Sequence, residues 1–232
     1  MIDLHTHLLP GMDDGSDSVE TSLAMLRQCA GIEGICATPH FYADRDAPDR
    51  FLRRRATAWE RLRAALPAEH VSIRLGAEVR YFDGLSRAEA LPELCIEGTR
   101  LLLLEMPFGR WTERMLTEVE GISRRGLQPV AAHIERYMGL VPKGLLRAFT
   151  ELDILLQCNA EFFLERRTAR KALRFMNEGR VAFLGSDAHN VDKRPPNLAE
   201  AAALIERKLG PEPLAALRER EAFFGLHAEV TG

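Results

Sequence analysis

Met1-Ile2-Asp3-Leu4-His5-Thr6-His7 opens the chain: a short apolar run that stops on two histidines one residue apart. The pattern recurs along the sequence. Residues 35–38 lead to Pro39-His40, 71–77 to Glu78, 101–104 to Glu105, and 127–132 to His133. Residues 154–158 lead to Asn159, and 181–185 lead toward Asp187 and His189. Runs of this length and near-continuous apolarity read as strands buried on both faces. Metal-ligating side chains at nearly every strand's C-terminal end favour a closed barrel, since an open doubly wound sheet places its site at one switch point.

The stretches between the runs carry helical patterns. Ser18 is suited to cap a helix reaching about Gly31, with Leu23, Leu26 and Ala30 on one face. Helices are also expected over 49–66, 113–124 and 166–178. The order is therefore β then α, about seven times, giving an α/β fold with a parallel sheet covered by helices. A length of 232 residues suits one such domain over 1–232. Residues 44–55 are the most polar stretch and read as a rim followed by the exposed face of a helix.

Composition narrows the function. Hydrophobic residues make up 46% and charged residues 28%, ordinary for a soluble protein with a sizeable core. A net charge of −3 offers no general footprint for nucleic acid. No apolar run is long enough to insert in a membrane. A leader at the N-terminus would remove His5 and His7, so a cytoplasmic protein is expected. Cys29, Cys36, Cys95 and Cys158 have no zinc spacing and read as small core thiols.

The HxH pair alone is common, and Asp13-Asp14-Gly15 alone is a turn signal. Together the set carries more weight. His5, His7, His40, His133 and His189 sit at or just beyond strand ends, whereas His70 and His227 read as solvated. Glu78 and Glu105 follow strongly apolar runs, where a carboxylate is costly unless paired or metal-bound. Asp14 and Asp187 complete a nine-residue set of imidazoles and carboxylates without thiolate. That donor set suits Mn²⁺, Fe²⁺ or Zn²⁺, and several carboxylates suit bridged ions that lower the pKa of bound water.

The motifs resemble the PHP (polymerase and histidinol phosphatase) superfamily, and within it the bacterial manganese-dependent protein-tyrosine phosphatases of capsular and exopolysaccharide clusters. The matching stretches run from Ile2 through His5-Thr6-His7 to Gly15, then Ala37-Thr38-Pro39-His40, Gly76-Ala77-Glu78 and Leu104-Glu105-Met106. They continue with Ala132-His133-Ile134-Glu135-Arg136-Tyr137, Ser186-Asp187-Ala188-His189-Asn190 and Arg194-Pro195-Pro196. The resemblance implies a distorted, TIM-like (β/α)7 barrel and three divalent metal ions, foremost Mn²⁺, with Fe or Zn as alternatives. It implies one ion on His5, His7, Glu78 and Asp187, and a second sharing Glu78 with Glu105 and His133. The third would take Asp14, His40 and His189. Arg136 and Arg194 match arginines that hold phosphate, work for which a planar guanidinium is suited.

The implied substrate is the phosphotyrosine-bearing tail of a bacterial tyrosine kinase of polysaccharide export. A same-fold alternative is a small metabolite such as histidinol phosphate: a shallow, open site favours the tail and a deep pocket the metabolite. An amidohydrolase barrel would need a bridging lysine, and this chain offers Glu105 and Asn159 instead. The rim loop 41–48 is expected to touch substrate. Residues 219–232 do not match the family's ending, and oligomeric state is not legible.

Overall fold

The computed structural model describes residues 1–228, so the last four residues of the unmatched segment 219–232 lie outside the described residues. The apolar runs are strands: β1 (Ile2–Thr6), β2 (Gly34–Ala37), β3 (His40–Phe41), β4 (Ser72–Leu75), β5 (Glu78–Arg80), β6 (Leu101–Glu105), β7 (Gln128–Ala131), β8 (Leu155–Asn159) and β9 (Phe183–Gly185). The ladders run β1-β2-β4 and β3-β5-β6-β7-β8-β9, with every pairing parallel.

Two expected strands, 35–38 and 71–77, each run on into a second short strand beyond the expected range. Residues 35–38 continue past Pro39 as β3, and 71–77 continue past Gly76-Ala77 as β5. Proline has no N–H for a ladder bond, so the strand bends there. The wall stays continuous, because Gly76 N donates to Ala37 O at 2.9 Å and Glu78 N to Pro39 O at 3.0 Å. The wall then meets itself. His7 N donates to Ala188 O at 2.9 Å, and Asp187 N donates to His5 O at 2.8 Å. Gly185 makes this seam possible: a Cβ there would lie 2.7 Å from His5 Cβ. Counting each broken strand once, seven parallel strands curl into the barrel.

Leu101 and Leu103 of β6 pack with Ile2, Leu4, Cys36, Val130 and Phe183, a cluster drawn mainly from the strands. Leu102 and Leu104 belong to the larger cluster beneath the helices. A fully buried leucine is worth roughly 1.5–3 kcal/mol, so β6 anchors both layers.

The helices are α1 (Val19–Arg27), α2 (Pro48–Arg63), α3 (Leu91–Leu94), α4 (Glu113–Arg124), α5 (Lys143–Thr150), α6 (Ala160–Leu164), α7 (Ala169–Asn177), α8 (Leu198–Leu209) and α9 (Glu212–Phe223). Ser18 caps α1 by accepting from Thr21 N at 3.1 Å. That helix ends short of Gly31, whose φ of 83° belongs to a turn. The helix α4 coincides with its expected range. The segment after α9 has a structural role: Leu226 joins the cluster of Leu101 and Leu103, and the buried Arg74 donates to the carbonyls of Glu97 (2.8 Å) and Gly225 (3.0 Å). All four cysteines are buried and free. His70 and His227 are both exposed as expected, and His227 also has carboxylate partners, 3.0 Å from Glu221 and 3.4 Å from Glu33.

Candidate metal centre

The nine expected ligands come together at one end of the barrel. His5 lies within β1, and His7 follows it. Asp14 stands on the loop leading to α1. His40 and Glu78 begin β3 and β5 rather than ending a run, and the ladder sets them opposite each other. Glu105 ends β6, His133 follows β7, and Asp187 with His189 follows β9.

The donor atoms crowd one another. His5 Nε2 and His7 Nε2 are 3.1 Å apart. Glu78 Oε2 lies 3.3 Å from the first and 3.4 Å from the second, and Asp187 Oδ1 lies 3.6 and 3.4 Å from them. On its other oxygen Glu78 meets His133 Nε2 at 2.9 Å, and Glu105 stands 3.8 Å from that nitrogen. Asp14 Oδ1 is 3.4 Å from His40 Nε2 and 3.6 Å from His189 Nε2. The groups share members. His7 also gathers with Asp14, His40 and His189, and His40 gathers with Glu78 and Glu105.

These residues fit bound cations. Buried nitrogen and oxygen atoms ordinarily find hydrogen-bond partners. Here His40 Nδ1, Glu78 Oε2, Glu105 Oε2, His133 Nδ1 and His189 Nε2 are buried without one. His40 Nδ1 lies 2.7 Å from Glu78 Oε2 but out of hydrogen-bond alignment. Electrostatics agree. Burial works to push Glu78 up, yet the surrounding imidazoles hold its carboxyl well below the usual range. Burial and the charge of Glu78 raise Glu105. Burial, with the positive charges of His7 and Arg194, pushes His189 down to about 4. A divalent ion would supply positive charge where the buried carboxylates and imidazole lone pairs converge.

A supporting layer escaped the sequence reading. Asp13 Oδ2 lies 2.7 Å from His7 Nδ1 and accepts from His40 N at 2.8 Å, so one carboxylate orients two ligands. Read as a turn, Asp13 does serve one, since its other oxygen accepts from Gly15 N at 3.0 Å. Gly15 is needed there because a Cβ would lie 2.3 Å from His7 Cβ. Gln157 lies 3.3 Å from His5 Nδ1 and accepts from His133 N at 2.7 Å. Its amide donates to Asn159 Oδ1 at 2.9 Å, and Asn159 donates to Asp187 Oδ2, also at 2.9 Å. The available signal was a polar glutamine inside the apolar run of β8. Among the described residues, His133 and Asp187 are the non-glycine residues with positive φ, 34° and 55°. Such backbone costs about 1–3 kcal/mol and persists where surrounding structure enforces it.

Arg136 stands in the 3-10 turn Ile134–Tyr137 and Arg194 beyond His189. Both guanidiniums reach Asp187 Oδ2, Arg194 at 2.6 Å. Two aromatic rings flank the ligands. Phe108, 48% exposed, stacks over His133 with centroids 5.9 Å apart, and Tyr42 stacks on His40 at 5.1 Å.

Residues 1–222 match the family described as capsular polysaccharide synthesis, CpsB/CapC. The chain is 31% identical to tyrosine-protein phosphatase YwqE of Bacillus subtilis, over 91% of this chain and 86% of that one. It is 29% identical to tyrosine-protein phosphatase CpsB of Streptococcus pneumoniae, over 90% and 91% respectively. A crystal structure from work on those two proteins, described there as unique metal-dependent tyrosine phosphatases, superposes with a TM-score of 0.82. The sequence identity is 25%, covering 99% of this chain and 96% of the other.

Proposed function

The chain belongs to the capsular polysaccharide synthesis CpsB/CapC family, and on that premise we propose that it is a metal-dependent protein-tyrosine phosphatase. One observation carries the reading. Buried ligand atoms without hydrogen-bond partners face one another beside two arginines that share an oxygen of Asp187.

Divalent ions held by His5, His7, Asp14, His40, Glu78, Glu105, His133, Asp187 and His189 would lower the pKa of water for attack on phosphorus and offset charge on the phosphoryl oxygens. Three ions, with Mn²⁺ foremost, suit this set. The chain's own residues do the rest. Arg136 and Arg194 bind and orient the phosphoryl oxygens. Asp13 and Gln157 hold the imidazoles that face it. Phe108 and Tyr42 offer aromatic faces at the mouth. The leaving phenolate has a pKa of ~10, so it departs with less protonation than an alkoxide requires.

Thiol chemistry has no place here. Burial pushes Cys29 and Cys95 up to about 12, and none of the four cysteines opens a CxxxxxR loop. A protein tail is favoured over a small metabolite because the site opens to solvent: the side chain of Asp14 is 68% exposed and that of Arg194 36%. We assign as substrate the phosphotyrosine-bearing tail of a bacterial tyrosine kinase, met in the cytoplasm. No helix among the described residues is long and apolar enough to cross a membrane.

The test is turnover of p-nitrophenyl phosphate and a phosphotyrosine peptide, side by side, after metal stripping and refilling. Hydrolysis of neither by the Mn²⁺-loaded protein would end this reading.

A further inference from the structure

A run of positive charge leads away from the metal centre on one side. A cavity of about 480 Å³ begins at Asp14 and His40 and is lined further out by Arg45, Arg50 and Arg54. A second, of about 290 Å³, shares Met12, Arg50 and Arg54 with the first and extends along α2 past Arg53 and Arg61. The helix α2 carries six arginines against two carboxylates, in a chain whose net charge is −3.

The arginines divide into two kinds. Arg50 and Arg54 both pair with Asp46, Arg54 at 2.9 Å. They also donate to backbone, Arg50 to Arg45 O at 2.8 Å and Arg54 to Met12 O at 2.7 Å. These two have their charge matched within the chain. Arg45, Arg53 and Arg61 are exposed, and among the described residues none has a carboxylate partner. Arg45 instead lies over the Tyr42 ring, 4.7 Å from its centroid. Unpaired guanidiniums spaced along one face give it a positive potential that an anionic ligand complements. The two cavities adjoin through Met12, Arg50 and Arg54 and together follow α2 from Arg50 to Arg61, which suits an extended chain better than a compact anion.

We propose that Arg45, Arg53 and Arg61 form a docking track for an acidic peptide segment next to the phosphorylated residue, an inference that rests on the phosphatase reading. The phosphoryl group enters at the ligands beside Arg136 and Arg194, and the flanking carboxylates lie along α2. The track selects among phosphorylated proteins by charge and takes no part in bond breaking.

The test uses two phosphotyrosine peptides of equal length, one flanked by Asp and Glu, the other by Asn and Gln. Their kcat/KM values are compared for wild type, Arg53→Glu, Arg61→Glu and the double variant, at low and high salt. Wild type should prefer the acidic peptide by about ten-fold at low salt, a preference that salt erodes. The double variant should lose or invert it. Turnover of p-nitrophenyl phosphate, too small to reach the track, should stay within about two-fold and reports intact folding. Equal use of both peptides by wild type, or an undiminished preference in the double variant, would overturn the track. Fluorescence anisotropy of a labelled, unphosphorylated acidic peptide supplies a readout independent of activity. If no phosphate ester is turned over, the phosphatase reading fails, while tighter binding to wild type than to the double variant still supports the track and equal binding removes it.

Discussion

Arg136 and Arg194 converge on a single oxygen, Oδ2 of Asp187, from loops that follow different strands. The other oxygen of that carboxylate faces His5, His7 and His189. Asp187 therefore joins the cationic pair to the ligand cluster, and an anion arriving at the ligands comes within reach of both guanidiniums.

Replacing either arginine by Ala should leave metal content intact and lower kcat/KM by ~10- to 10³-fold, mainly through KM. Arg→Lys should rescue only partly, because an ammonium loses the two-point contact. Because the two share Asp187, losses in the double variant should not add. Steady-state kinetics with inorganic phosphate as inhibitor checks this: normal kinetics and normal phosphate inhibition in both variants would make them ordinary rim residues.

Protein purified without chelator should contain more than one transition-metal ion per chain. EDTA should abolish hydrolysis and Mn²⁺ restore it, while alkylation leaves the rate within a few-fold, since all four thiols are buried. Elemental analysis and a thiol-modification assay read the two halves. An active protein with no metal would refute the first half.

Glu78 lies within 3.4 Å of His5, His7, His40 and His133. Glu78→Ala and Glu78→Gln should each lower kcat by ~10³ or more, since neutral Gln bridges cations poorly. Measured metal content should fall in both. Near wild-type turnover in either would remove Glu78 from the centre of the site.

Asp13→Ala frees the His7 ring and the His40 backbone together without removing an assigned ligand. Metal affinity should drop by roughly 10- to 100-fold, as for other groups that orient ligating histidines. Saturating Mn²⁺ should recover much of the rate. Metal titration that finds unchanged affinity would show Asp13 to be a turn residue alone.

Phe108→Ala removes the exposed ring stacked over His133. KM for a phosphotyrosine peptide should rise several-fold, in keeping with the loss of one aromatic contact. Slow turnover of a phosphoserine peptide and inhibition by phosphate should not change. Equal effects on both peptides would mean that the ring supports His133 rather than the substrate.

Much of the fold was legible because strands and helices report themselves locally. Leu101 to Leu104 are buried on both faces and must be apolar throughout, and the residue that breaks the run, Glu105, stands out against it. The short continuations β3 and β5 were less legible: the second run was read as ending before Pro39, and the third was read straight through Gly76. Asp13 was hidden by its turn chemistry, which is real but not its only task. Gln157 and Asn159 acquire roles only when β8 is placed between β7 and β9.

The alternation of buried strands and helices, the nine candidate donors and the resemblance to a family are all legible in the chain, because periodicity and residue chemistry are carried by neighbouring positions. Folding in three dimensions settled which donors share a neighbourhood, that Arg136 and Arg194 meet at Asp187, and that Arg50 and Arg54 of α2 line the cavity at Asp14 and His40. Those relations join residues up to 182 positions apart, as Asp187 N and His5 O show at the seam. Only closure of the barrel brings them within hydrogen-bonding distance.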